Sequence, residues 1–315
     1  MNNTQLSSSE LSLVTLESEF LEQLKTKGKS PNTIKNYKTD LDCFKDFLLK
    51  KQEGLMLNDF GIPKVMEYGS YLDKKYTSDN SRRRRVQTVR IFFDYLITKN
   101  LFSDNPMRKL PTSPKFLDVP HPTPYKDVRV LWDYLSTESN QGSDIEKMIA
   151  LRNKVIIALI YGAGLKVSDL AKLSRKQILI TENEIRVLVT PLKRDPYTVP
   201  VPSIFFGLFN EYMERLTAEC NKSKMEFDEL LFNANPYRIL SGGLSPRGLE
   251  IVFEELRKKL VITLTPKSLR QSCILKWLQQ KQDDTNIKEW MGVTPSYSLK
   301  TYQDVMYDNL FSEIN

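Results

Sequence analysis

Apolar residues recur at helical spacing through most of the chain, and one alternating stretch interrupts them. Leu41, Phe44, Phe47 and Leu48 fall on one helical face, and Ser30-Pro31 ahead of them has the form of an N-cap followed by proline at the first helical position. The spacing predicts a second helix through Val65, Tyr68, Leu72 and Tyr76, and a third over Arg83–Lys99 with Val86, Val89, Phe93 and Leu96 inward. Lys126–Leu135 and Leu151–Leu173 again have helical periodicity. Between Ile178 and Val201 the period changes. Ile185–Thr190 and Tyr197–Val201 read as two strands of a hairpin whose turn is Pro191–Pro196. Helical spacing returns in Ile204–Leu216, Leu249–Leu260, Ser268–Gln279 and Ile287–Met291, while Gly61, Gly69 and Ser241–Pro246 suggest turns.

The pattern is cut where six prolines fall between Asn105 and Pro124, because proline neither continues a helix nor donates to a strand ladder. The chain therefore reads as an all-helical domain over residues 15–108, a Pro-rich linker over 109–124, and a larger, mostly α domain with a small sheet over 125–315. A length of 315 residues with 40% hydrophobic content can bury a substantial core, which excludes wholesale disorder. Cys43, Cys220 and Cys273 are odd in number and far apart, so neither a disulfide framework nor a zinc site is expected. No apolar run is long enough to span a bilayer and the first ten residues are polar, so a soluble, cytoplasmic protein without membrane association is expected. The single histidine, His121, lies in Val-Pro-His-Pro-Thr-Pro and reads as a solvated linker residue. Histidine-based triads and metal sites are thereby disfavoured, and any chemistry must run on Tyr, Lys, Arg or carboxylates.

Charge is unevenly distributed. The chain carries a net +7, and Arg82–Lys109 alone holds eight basic against two acidic side chains. Arg82, Arg83, Arg84 and Arg85 open the third helix, where cations oppose the helix dipole by roughly 0.3–1 kcal/mol each. Together with Arg90 they read as contacts to nucleic-acid phosphates or, equally, as a solvated basic face.

The segment Tyr161-Gly-Ala-Gly-Leu-Lys-Val-Ser-Asp-Leu170 resembles the Y-G-T-G-L-R-V-S-E-L pattern of the tyrosine recombinase, or phage integrase, family, the Xer-like members included. Thr265-Pro-Lys-Ser-Leu-Arg270 resembles that family's T-P-H-x-L-R box, and Met291-Gly-Val293 through Tyr302 resembles its L-G-H…Y segment. Ser30-Pro-Asn-Thr-Ile-Lys-Asn-Tyr37 resembles the opening of its helical core-binding domain, so the likeness runs from about residue 15 to residue 310. The resemblance implies a mainly α, two-domain C-shaped clamp with a SAM-like N-terminal domain and a catalytic-type C-terminal domain. It also implies duplex DNA as partner, a homo-oligomer on DNA or a related recombinase as companion, and no cofactor. Residue by residue it makes Tyr302 the nucleophile that forms a 3′-phosphotyrosyl bond, Arg270 a phosphate clamp, Lys193 the general acid, and Lys166 and Lys267 further cations of the site. The apolar tail, with Val305, Leu310, Phe311 and Ile314, resembles one that packs into a neighbouring protomer, and equally one that folds onto its own domain.

Metal-free phosphodiester cleavage needs an oxygen nucleophile, cations around the non-bridging oxygens, and a proton donor for the leaving 5′-oxygen. Taken singly, Tyr302 reads as a core tyrosine, Arg270 as an ion-pair partner and Lys193 as a turn residue; the joint spacing favours the site. Three positions depart from the pattern. Lys166 keeps the charge of the family's arginine without its two-pronged fork. Lys267 replaces a histidine, and Val293 replaces a histidine or tryptophan and can donate no hydrogen bond. Three readings follow: an active site-specific DNA recombinase with an atypical site, a catalytically impaired accessory or regulatory DNA-binding protein on the same scaffold, and a helical interaction module whose basic face meets an acidic protein.

Overall fold

The structure is a computed structural model that describes residues 12–50, 57, 60–112, 119–182, 184–191 and 194–312, with side chains to residue 306. The chain divides into two compact units, Met1–Phe116 and Leu117–Asn315. Both are dominated by helices.

The first unit contains α1 (Leu13–Thr26), α2 (Pro31–Lys50), α3 (Ile62–Lys75) and α4 (Asp79–Thr98), followed by a 3-10 turn at Pro106–Lys109. Ser30 caps α2 as expected, its hydroxyl accepting from the Thr33 amide at 3.1 Å. The third helix starts four residues earlier than the periodicity predicts, because Ser78 supplies an N-cap by accepting from the Ser81 amide. α1 was not among the expected helices, although Leu13, Leu16, Phe20 and Leu24 fall on one face and are all buried. The core is largely aromatic: Phe20, Phe44, Phe47, Tyr68, Phe92 and Phe93 are almost completely buried, and many of the rings meet edge to face. Met107 and Leu110, within or beside the Pro-rich stretch, are buried in this core. Gly69 on α3 permits that approach, since a Cβ there would lie 2.7 Å from Leu110.

A buried carboxylate ties α2 to α4. Asp40 is 1% exposed; its Oδ1 accepts from Arg84 Nη2 at 2.8 Å and its Oδ2 from the Thr88 hydroxyl at 2.9 Å. Arg85 lies 3.9 Å from the same carboxylate and stacks 3.7 Å over the Tyr76 ring.

The second unit begins with α5 (Tyr125–Glu138) and α6 (Asp144–Ile157), the latter opened by a capping box between Ser143 and Glu146. The expected continuous helix over Leu151–Leu173 does not form. α6 passes into a π-helical turn at Ala158–Gly162, the backbone turns left-handed at Gly164 (φ +62°), and α7 spans only Val167–Leu170. The predicted hairpin is present as β2 (Ile185–Val189) and β3 (Tyr197–Val201), with Ile185, Val187 and Val189 opposite Val201, Val199 and Tyr197 and all six inward. Pro200 is tolerated because β3 is an edge strand. β1 (Ile178–Ile180), too short to show a period, adds a third antiparallel strand on the other side of β2.

Next come α8 (Phe206–Ser223), a hairpin of β4 (Phe232–Ala234) and β5 (Ile239–Gly242) that the pattern did not disclose, α9 (Pro246–Leu260), α10 (Pro266–Gln279), α11 (Asp284–Trp290) and α12 (Lys300–Ser312). α12 was likewise not expected as a helix. α10 lies in the middle of the core, with Leu269, Cys273, Ile274 and Trp277 all buried. Its start is fixed by the extended segment before α5. The Thr123 hydroxyl bonds Ser268 Oγ at 2.8 Å, and the His121 amide donates to Gln271 Oε1 at 3.1 Å while the imidazole is exposed, as expected for this histidine. The side chains of Leu310, Phe311 and Ile314 lie outside the described residues, and Val305 packs on the core of its own unit. Among the described residues, no helix is long and apolar enough to cross a membrane.

Burial raises the Asp40 carboxyl above the ordinary carboxylate range, while the Thr88 hydrogen bond and the charges of Arg84 and Arg85 pull it back only in part. A carboxyl whose folded pKa is raised binds its proton more tightly in the native state, so its ionisation costs stability as pH rises above about 3.9. Chemical denaturation at stepped pH is therefore expected to show the wild type gaining stability relative to Asp40→Asn on acidification from about pH 7 to about pH 4. A pH-independent difference between the two would refute it.

Candidate functional site

The site forms where three segments meet the end of α11. That helix is opened by Asp283, whose Oδ1 accepts from the Thr285 amide at 2.7 Å, and it closes with the Gly292 amide on Glu289 O and the Val293 amide on Lys288 O. Gly292 is left-handed at φ +62°, as such a terminus requires. The carbonyls at and after its C-terminus carry partial negative charge and attract cations. Three consecutive ones do so here, each with a different side chain.

Arg270, one turn into α10, donates from Nη2 to Met291 O at 2.6 Å and from Nε to Gly164 O at 2.6 Å. Gly164 makes the second bond possible. Its left-handed backbone turns the carbonyl toward Arg270, and a Cβ there would lie 2.6 Å from the Trp277 ring. Lys166 stands at the N-cap of α7 and donates from Nζ to Gly292 O at 3.3 Å. Arg194, on the β2–β3 turn, donates from Nη1 to Val293 O at 3.4 Å, and its guanidinium rests 4.7 Å from the Tyr197 ring centre. Gly292 again matters, since a Cβ on it would sit 2.5 Å from the Tyr197 hydroxyl.

The local field is positive. Burial lowers the Lys166 ammonium below the ordinary lysine value, and the like charges of Arg270 and Arg194 lower it further against the opposing pull of Asp169. Burial raises the Tyr197 phenol, followed by Asp169, while Arg194 and Arg270 pull it down. Such a concentration of cations suits an anion with several oxygens.

Of the expected site residues, the structure brings Arg270 and Lys166 together around residues 291–293. Tyr302 lies in the first turn of α12, is 8% exposed, and shares the core with Leu269, Cys273 and Leu299; α12 packs against α10. Lys267 is exposed in the first turn of α10. The Val293 side chain is partly buried against the apolar core, and its carbonyl accepts from Arg194. Lys193 lies outside the described residues. Arg194 was missed by the sequence reading; its only signal was a second basic residue in the same turn. Among the described residues, no group of three or more His, Cys, Asp or Glu side chains is placed to hold a metal.

The arginines of α4 divide by environment. Arg90 donates from Nε to Met107 O at 3.1 Å and from Nη2 to Leu110 O, and Arg85 is 8% exposed. Both are engaged inside the first unit, Arg90 with two backbone carbonyls and Arg85 with Ser81 O, Asp40 and the Tyr76 ring. Arg82 pairs with Asp79 and Asp73, and Arg84 with Asp40, so the charge that opposes the helix dipole is offset by carboxylates. Arg83 is partly exposed, lines the groove between α2 and α4, and has no ion-pair partner among the described residues.

Comparison with known proteins gives a consistent answer. Residues 18–100 match the phage integrase N-terminal SAM-like domain, and residues 130–308 match the phage integrase family. The tyrosine recombinase XerC of Staphylococcus saprophyticus is 28% identical over 282 residues, covering 88% of each chain. Among solved structures, the XerH site-specific recombinase bound to its palindromic difH substrate in a post-cleavage complex aligns with a TM-score of 0.70 at 14% identity, over 99% of this chain and 85% of that one. A lambda integrase dimer bound to a COC′ core site aligns with a TM-score of 0.67 at 14% identity, over 93% and 77%. These structures share the fold.

Gly164→Ala is expected to destabilise the second unit by roughly 2–4 kcal/mol, from the left-handed backbone and the overlap with Trp277. The check is the denaturation midpoint; a loss below about 1 kcal/mol, within the range of ordinary surface substitutions, would show that the Gly164 carbonyl is not held as described.

Proposed function

This chain belongs to the phage integrase family of tyrosine recombinases, and we propose that it binds duplex DNA and cleaves and rejoins strands at a specific site through Tyr302. The observation that carries this reading is the gathering of Arg270 and Lys166 at the carbonyls of residues 291–293, with the helix of Tyr302 packed against the helix of Arg270. The likeness to recombinases crystallised on DNA supports the choice of DNA as substrate.

In the proposed step the Tyr302 oxygen attacks the scissile phosphorus as its phenolic proton departs to solvent or a base. The bond from phosphorus to the 5′-oxygen breaks, and Lys193 gives a proton to that leaving oxygen. One phosphodiester linkage is exchanged for another, so no energy source is consumed. Arg270 and Lys166 neutralise the non-bridging oxygens, where charge accumulates. Arg270 is preorganised by two short bonds to backbone carbonyls, which holds its plane fixed. Lys166 offers a point charge in place of a fork, and the Val293 side chain offers no donor. A missing donor of this kind costs on the order of 10²–10³ in rate, so turnover is expected to be slow. The lack of a side-chain donor at Val293 supports a second reading, in which the protein binds DNA without cutting it.

Residues 15–108 act in this reading as the core-binding domain, 109–124 as the linker and 125–315 as the catalytic domain. Arg83, with Asn36, Asn80 and Gln87 in the same groove, is the proposed DNA-facing set of the first domain, amide side chains being suited to base edges. Assembly with a second copy or a related recombinase follows the lambda integrase dimer on its core site.

A library of nicked duplexes, in which the nick traps the cleaved strand, is expected to yield an SDS-resistant protein–DNA adduct with wild type and none with Tyr302→Phe. Adduct formed equally by Tyr302→Phe would refute the nucleophile, and no adduct with wild type on any duplex would leave the binding-only reading. For the first domain, Arg83→Ala is expected to reduce the slope of log affinity against log salt by about 0.9, the share of one phosphate. Arg90→Ala, by contrast, is expected to lower thermal stability by releasing the Met107 and Leu110 carbonyls. An unchanged slope in Arg83→Ala would remove that residue from the interface.

A further inference from the structure

We propose that Arg194 is a phosphate-contacting residue of this site, supplying the anion-directed hydrogen bonds that the Val293 side chain cannot supply. The proposal rests on the reading of the site as one for a DNA backbone phosphate. Its structural basis is separate: the carbonyls of Met291, Gly292 and Val293 take their donors from Arg270, Lys166 and Arg194 respectively, three cations delivered by three distant segments to one short stretch of backbone.

The three are not held alike. Arg270 is fixed by two bonds of 2.6 Å. Arg194 keeps a single bond of 3.4 Å, close to the limit for such a contact, from an exposed position. A guanidinium has five N–H donors, so most of those on Arg194 are left for a ligand. Its guanidinium lies over the Tyr197 ring, a contact that does not use those donors. Gly292 leaves the space in which the Tyr197 hydroxyl and Arg194 Nη1 lie close to the backbone, with a Cβ 3.5 Å from that nitrogen had there been one. The niche therefore places an adjustable fork beside a fixed one. Val293 contributes a partly buried apolar side chain and a carbonyl, neither of which can donate to an anion. Arg194 reaches the same carbonyl, and so brings a donor to the place where that side chain brings none.

The test uses the full-length protein. Arg194→Ala is expected to reduce the slope of log affinity for random-sequence duplex DNA against log salt by about 0.9, and Arg194→Lys to leave it unchanged. On the nicked-duplex library, Arg194→Ala is expected to slow adduct formation by roughly 10²–10³-fold. In a Val293→His background, where an imidazole supplies a donor in the same loop, the loss from Arg194→Ala is expected to fall below about tenfold. Circular dichroism of each variant separates these effects from misfolding. A wild-type salt slope in Arg194→Ala overturns the phosphate contact, even if the wild-type adduct forms and the recombinase reading stands. Equal losses in the two backgrounds overturn the compensation for Val293. If wild type forms no adduct but the slope still falls with Arg194→Ala, the contact holds and it is strand cleavage that fails.

Discussion

The capture of the Arg270 guanidinium between Gly164 O and Met291 O is the interaction on which the second unit's site depends. It joins the break after α6, the start of α10 and the end of α11, segments that no local preference would bring together. A charge-assisted hydrogen bond of this kind contributes roughly 1.5–3 kcal/mol, and an unpaired guanidinium in the same half-buried place would be strongly destabilising. The bond therefore dictates much of the local backbone. Gly164 must be left-handed and without a Cβ for its carbonyl to reach, and α6 must end in a widened turn for the chain to arrive there. Trp277 and Cys273, on the face of α10 toward Gly164, fill the space a side chain would have taken.

The first unit is organised by the same logic with the charges exchanged. There a buried carboxylate, Asp40, draws Arg84 and Arg85 toward α2. Four successive arginines at the positive end of a helix are expensive, and the fold offsets them by distributing carboxylates: Asp40 beneath, Asp79 in the same turn and Asp73 on α3. The basic run is consequently less available than its composition suggests. Arg84 stays exposed although it is paired with Asp40, and Arg83, with no ion-pair partner among the described residues, lies partly exposed beside polar side chains of the α2–α4 groove.

The sequence makes the fold legible wherever a helix buries one face. α2, α3, α4, α5, α8, α9 and α10 all have the apolar spacing that predicts them, and β2 and β3 alternate cleanly. It fails where the signal is short or shared. β1 and β4 have three residues each, fewer than a period-2 pattern needs. The run Leu151–Leu173 looks continuous because both sides of the break are buried, so apolar spacing carries straight through a backbone that turns at Gly164. The motif residues were legible as a set, but their anchors were not: backbone carbonyls hold Arg270, Lys166 and Arg194, and a carbonyl leaves no mark in a sequence.

That distinction bears on how a lysine at position 166 fits here. Lys166 is half-buried at the N-cap of α7, the positive end of a helix, and Arg270 and Arg194 already crowd it with like charge. A second or third permanent guanidinium at that position would add a charge that cannot be relieved, whereas an ammonium is compact, bends away to Gly292 O and has a proton affinity already lowered by its surroundings. A second guanidinium lies on the β2–β3 turn, exposed and loosely held. The cationic character of the site is thus retained while its geometry is redistributed, with one fixed guanidinium from α10, one point charge from α7 and one movable guanidinium from the hairpin. Judged position by position against a family pattern the cluster looks incomplete in this chain; judged by the charges that reach residues 291–293, it has three cations.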